Sequence, residues 1–222
     1  MKKTISPDYQ LAQTRAWNVL KTYSSPILPI DLNQIISSIS NLNVMTYSQL
    51  AKLFNCDASQ VADIVDSDDG TLWYRQNNND YLLVYNDAIQ NEGQKRFTIA
   101  HELGHYFLKH DEINTQPPSL ATDKLGLISD EEYDIDEKEA NYFAKRLLAP
   151  VPLIIDIGKI IGSIDIPTMA NIFNISQTAA EYVIDNMNNL QRCGFYPIDY
   201  ELSNLFHDAV NESAEPYIAT AI

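Results

Sequence analysis

Basic residues are scarce in this chain of 222: Lys and Arg number 15 against 30 Asp and Glu, a formal net charge of -15. That balance excludes a general binder of nucleic acid or of anionic membranes, because attraction to phosphate needs an excess of Lys and Arg. Cysteine is nearly absent. Cys56 and Cys193 lie far apart and form no CxxC, which excludes a disulfide framework and a Cys-rich zinc site. They read as free thiols in a reducing cytosol. Long apolar runs are missing too, and nothing approaches the roughly 18 residues of a membrane span. The longest such stretch, around residues 151–157, is broken by Pro152 and Asp156. The opening MKKTISPDYQ has two lysines with no apolar segment behind them, so it does not read as a signal peptide. The chain is therefore expected in the cytoplasm, touching neither nucleic acid nor membrane directly.

What is present is enough for a core. Hydrophobic residues make up 45% and aromatic residues 10%, which excludes a disordered acidic tail and fits one or two domains. Leu11, Arg15, Val19 and Leu20 recur at helical spacing within residues 8–24. A second helix is predicted over 29–38 with Asp31 as N-cap, a short strand over 43–47, and two short helices over 48–55 and 58–65. Aromatic and β-branched residues predict strands over 71–76 and 81–86, joined by a hairpin loop. A long helix is predicted over 93–110, a loop over 111–134, and another helix over 135–148. The remainder reads as mostly helical, with Pro167 and Pro197 as breaks. Leu50–Asn55 and Met169–Asn174 resemble each other (LAKLFN and MANIFN), and each precedes a second short helix. Such pairs are the base form of DNA readers, but two basic residues against nine acids in 151–222 favour packing over DNA contact.

The informative segment is His101-Glu102-Leu103-Gly104-His105, an HExxH. On a helix the two histidines stand one turn apart and about 40° around the axis, so both imidazoles can reach one Zn²⁺ from one face. Glu102 lies about 100° round from His101, placed to take a proton from water rather than to bind the metal. A three-ligand catalytic site needs one more protein donor. The HExxHxxGxxH pattern fails, because Leu108 and Asp111 stand where Gly and His are required. His110 falls about 180° around the helix from His101 and reads as a surface or capping histidine. A carboxylate from a later helix is the alternative. Glu137 and Asn141 share a face with the small Ala140 and Ala144, which permits close approach to the HExxH helix. Glu137 then serves as ligand, with Glu139 as second choice, and Asn141 can orient a histidine.

Arg96-Phe97-Thr98-Ile99-Ala100-His101-Glu102-Leu103-Gly104-His105, followed by Glu137-x-Glu139-Ala140-Asn141-x-Phe143-Ala144-x-x-Leu147-Leu148-Ala149-Pro150, resembles the ImmA/IrrE family of metallo-endopeptidases. Ala149 departs from the methionine that often precedes the proline in that family. The resemblance implies an α+β, mostly helical fold: a zincin-like core with a small β-sheet over residues 1–155, and a helical C-terminal region over 156–222 packed on it. It implies a zinc-dependent endopeptidase in which His101, His105 and Glu137 bind Zn²⁺ and Glu102 is the catalytic base and acid. Family members often cleave a helix-turn-helix repressor encoded nearby, relieving repression of a mobile element, prophage or stress response. The oxyanion donor stays open among Tyr106, Tyr142 and His207. The strand at 81–86, read as exposed, could hold an extended substrate by edge pairing. Much of the acid lies in residues 111–139, where it could attract a basic partner such as a repressor.

Overall fold

A computed structural model describes residues 6–110, 130–194 and 197–218. Helix α1 (Tyr9–Tyr23) begins at Asp8, whose carboxylate accepts the Leu11 N–H, and α2 (Leu32–Ser37) begins at Asp31, which accepts from Asn33 and Gln34 as its sequence position predicts. Strand β1 (Leu42–Thr46) leads into α3 (Tyr47–Phe54) and α4 (Ala58–Val65). Strands β2 (Gly70–Arg75) and β3 (Asp80–Tyr85) follow. Next come α5 (Glu92–Leu108) and α6 (Asp130–Leu148). The rest is α7 (Val151–Ile161), α8 (Ile166–Phe173), α9 (Gln177–Arg192), α10 (Tyr200–Leu205) and α11 (His207–Ile218). The fold is α+β and mostly helical, with one small sheet. Pro167 marks the break at residues 162–165, between α7 and α8, from its far side. It occupies the first turn of α8, where its missing N–H costs nothing.

The sheet order is β1-β3-β2, with β1 parallel and β2 antiparallel to β3. This corrects the reading of residues 81–86 as an exposed edge: β3 is the central strand. Leu83 faces the main core with Leu72, whereas Leu82 and Val84 face a second cluster with Tyr47, Leu50, Val61 and Trp73 under α3 and α4. A strand covered on both faces carries a near-continuous apolar run, and YLLVY is that signature. Its two flanks are taken by β1 and β2, so edge pairing with a substrate through β3 is excluded.

The main core runs from Ala12 on α1 to Ala214 on α11 and includes Leu103, Phe143, Leu147, Leu153 and Phe206. The echo between 50–55 and 169–174 is structural. Asn55 (φ 54°) and Asn174 (φ 48°) each end a helix in the left-handed conformation, and each turns the chain into a second helix. No described helix is long and apolar enough to cross a membrane. Cys56 is half-buried and Cys193 exposed, and both are free.

Helices α5 and α6 position the centre described below. Helix α6 starts at Asp130, earlier than predicted. The two helices meet at Gly104 and Ala140. A β-carbon on Gly104 would lie 3.0 Å from both Cα and the carbonyl oxygen of Ala140. Phe107 stacks on Phe143 nearby, ring centroids 5.9 Å apart. Alanine at 104 would set a helix-propensity gain of about 1 kcal/mol against this contact, whereas a branched side chain exceeds the space outright. Gly104→Val is expected to destabilise the fold by about 1–3 kcal/mol. Urea unfolding measures this, and an unchanged midpoint would show that the helices part without cost.

Candidate metal centre

Helix α5 is opened by Asn91, whose side chain accepts the Gln94 N–H at 3.1 Å, and closed by Lys109 in the left-handed conformation (φ 63°). Its buried Ala100, Leu103 and Gly104 turn inward, which leaves His101 and His105 on the flank beside α6. The two rings meet edge to face at 4.7 Å, with Nε2 3.0 Å from Nε2. On α6, Glu137 completes the group. Its Oε2 lies 3.3 Å from His101 Nε2 and its Oε1 3.4 Å from His105 Nε2. Among the described residues this is the group of His, Cys, Asp and Glu side chains whose donor atoms converge, all within 4.8 Å of one another.

These residues suit a metal ion. Bonds of about 2.0–2.2 Å at tetrahedral angles separate neighbouring donors by about 3.3–3.5 Å. The separations here are of that size: 3.0 Å between the two Nε2 atoms, and 3.3 and 3.4 Å from them to the two oxygens of Glu137. Two neutral imidazoles and a carboxylate are a donor set such an ion accepts. Nε2 atoms facing each other at 3.0 Å also require something positive between them, either a shared proton or a cation.

The electrostatics agree. Burial would raise the Glu137 carboxyl, but hydrogen bonds from His101 and His105, with their charges, outweigh it and hold the group well below the usual carboxylate range. For His101, burial opposes protonation. Glu137, the nearby Glu102 charge and the Asn141 side chain prevail, and its pKa is raised. At His105 burial wins, with the His101 charge adding to it, and the pKa falls. The pair thus favours one positive charge rather than two. Glu102 is buried with 6% of its surface exposed. Burial pushes its carboxyl up to about 7, the His101 charge pulls it down, and the Glu137 charge raises it. A carboxyl titrating near neutrality is suited to taking up a proton and giving it back.

The two candidate carboxylates separate cleanly. Glu137 joins the histidines, whereas Glu139 turns its Oε2 to His110 Nε2 at 3.2 Å and its Oε1 to the Asp8 N–H at 2.6 Å. His110 is not the surface histidine expected. Lys109 ends the helix, so the 180° offset of a continuous helix no longer applies, and the chain folds back to place His110 Nδ1 3.2 Å from His105 Nδ1. Asp136 Oδ1 lies 3.7 Å from His110 Nε2. Sequence spacing missed these contacts because they depend on the bend at Lys109. Of the residues considered as oxyanion donors, Tyr106 donates to Asn41 Oδ1 at 2.7 Å and Tyr142 accepts from Arg146 at 2.8 Å. His207 pairs with Asn211 at 3.1 Å. None of those partners belongs to the three-donor group.

Glu137 offsets the burial that disfavours the protonated His101 ring. In metal-free protein, Glu137→Gln is therefore expected to lower the His101 pKa. An NMR titration of the imidazole follows this, and a pKa that stays raised would place the stabilising charge elsewhere.

Residues 62–184, more than half of the chain, match the family model described as the IrrE N-terminal-like domain, a peptidase family. Metallopeptidase ImmA of Bacillus subtilis (strain 168) is 23% identical over 177 residues, covering 77% of this chain and 92% of that protein. A buried HExxH helix crossed by a carboxylate-bearing helix, together with these matches, makes this chain a metallo-endopeptidase that belongs to the IrrE N-terminal-like peptidase family.

Proposed function

We propose that His101, His105 and Glu137 hold one Zn²⁺ and that Glu102 carries the proton in hydrolysis of a peptide bond. The observation that carries this reading is the convergence of two Nε2 atoms and one carboxylate, 3.0–3.4 Å apart, beside the buried Glu102. When bound, such an ion polarises the scissile carbonyl and acidifies the attacking water. The chain's own residues do the rest. Glu102 accepts the proton lost by water at its carboxylate and returns it to the departing amine. Glu137 balances the charge, and α6 holds it in register with the histidines.

The proposed substrate is a helix-turn-helix transcriptional repressor in the cytoplasm, whose cleavage would relieve repression of a mobile element, prophage or stress response. The resemblance of the paired motif to the ImmA/IrrE family supports this, as does charge. A net charge of -15 attracts a basic DNA-binding protein, and such docking weakens as salt rises. Residues 111–129, which carry part of that acid, lie outside the described residues. The chain would act on gene expression without itself touching DNA.

Co-expression with a helix-turn-helix repressor, taken from a gene beside this one where there is one, combined with metal analysis, tests the proposal. The purified chain should hold about one zinc, as a three-ligand site requires. Glu102→Ala should keep that zinc while cleavage falls by about 10²–10⁴-fold. Glu137→Ala should lose the zinc, whereas Glu139→Ala should still fill at saturating metal. A repressor that wild type binds under inducing conditions but leaves intact would make the protein a non-proteolytic regulator or toxin–antitoxin-like partner instead.

A further inference from the structure

Around the three-donor group, the structure treats its two histidines differently. The second ring nitrogen of His101, Nδ1, is buried and has no hydrogen-bond partner among the described residues. The corresponding nitrogen of His105 is met by another histidine. His110 Nδ1 lies 3.2 Å from it, the rings are edge to face at 5.2 Å, and only 9% of the His110 side chain is exposed. On its far side His110 Nε2 reaches Glu139 Oε2 at 3.2 Å, with Asp136 Oδ1 further off at 3.7 Å. Glu139 is itself held. Its other oxygen accepts the Asp8 backbone N–H at 2.6 Å, at the position that caps α1.

We propose that His110 and Glu139 form a relay that positions His105, so that a carboxylate–histidine–histidine line stands behind one of the two histidines of the centre. This rests on the reading of His101, His105 and Glu137 as metal ligands. If His105 gives its Nε2 lone pair to the metal, its proton resides on Nδ1. Nδ1–H then donates to His110 Nδ1, which must be the acceptor. That choice places the His110 proton on Nε2, aimed at the Glu139 carboxylate. Every donor then faces an acceptor, and one assignment of tautomers satisfies the whole line. Carboxylate-backed histidines are more basic and better oriented ligands than bare ones, and loss of such support typically costs about 10–100-fold in metal affinity.

His110 is a positioning residue in this scheme, not a ligand. Its two nitrogens are directed to His105 Nδ1 and Glu139, on the side of His105 opposite the Nε2 atoms. The relay also ties the centre to the start of α1. Lys109 supplies the bend that makes this geometry reachable, since a helix continued through residue 110 would carry His110 away.

The test measures zinc affinity of the whole chain by competition with a chromogenic chelator, and the visible spectrum of the Co²⁺-substituted protein. His110→Ala is expected to weaken zinc binding by about tenfold or more and to shift the Co²⁺ absorption bands. His110→Gln, which keeps an acceptor and a donor on one side chain, should recover part of the affinity. Glu139→Gln should weaken binding less than His110→Ala. The double variant should be no worse than His110→Ala alone, because Glu139 acts through His110. Thermal unfolding of the metal-free proteins separates lost positioning from lost folding. If His110→Ala does not fold, His110→Gln and Glu139→Gln carry the same comparison. Affinity within twofold of wild type and an unshifted spectrum in these variants would overturn the relay. Wild-type protein that fails to bind zinc at all would overturn the metal reading beneath it, and so the two failures are told apart.

Discussion

At Gly104 the backbones of α5 and α6 come so close that a single added carbon would touch Ala140. Much of the centre depends on that approach. A glycine between the two histidines removes the one side chain that would hold the helices apart, and an alanine one turn beyond Glu137 does the same from the other side. The close approach brings a carboxylate from a segment more than thirty residues later within 3.4 Å of both imidazoles. The apolar contacts that flank it, Leu103, Phe107, Phe143 and Leu147 among them, make the crossing rigid. Close-packed interiors transmit small displacements rather than absorb them, so the distances at the centre are set by packing more than by the charges themselves.

Having gathered charges into a largely buried space, the fold has to balance them. Four acids (Glu102, Asp136, Glu137 and Glu139) converge with three histidines, and all of them are at least partly buried. Glu137 is held ionised by the histidines, Glu102 is pushed toward neutrality by burial, and Glu139 takes a backbone N–H as well as a histidine. Three carboxylates, one on α5 and two on α6, thus have three different surroundings and can serve three different ends. A buried charge is tolerated only when paired or hydrogen-bonded, and here the pairing is divided between the centre and its support.

Much of this was legible from residue spacing. The four-residue interval between His101 and His105, the small residues Ala140 and Ala144 beside Glu137, and the cap at Asp31 are local patterns that a helix converts directly into geometry. Strand β3 shows the limit. Its apolar run was legible, but whether it lay at an edge depended on β1 pairing with it in parallel across about forty residues. His110 shows the limit again. A helical wheel carries it to the far side of α5, and the left-handed Lys109 brings it back.

Sequence alone determined the chemistry available: an HExxH on a helix, a second helix with a carboxylate on a small-residue face, and a charge of -15 unsuited to nucleic acid. These follow from periodicity and composition, which act over a few residues or over the whole chain. Tertiary structure decided which carboxylate faces the histidines, which supports them, and which strand lies in the middle of the sheet. Those outcomes turn on contacts between segments far apart in the chain, where a bend at one residue or a gap the width of one methyl group selects the partner, and no local pattern encodes them.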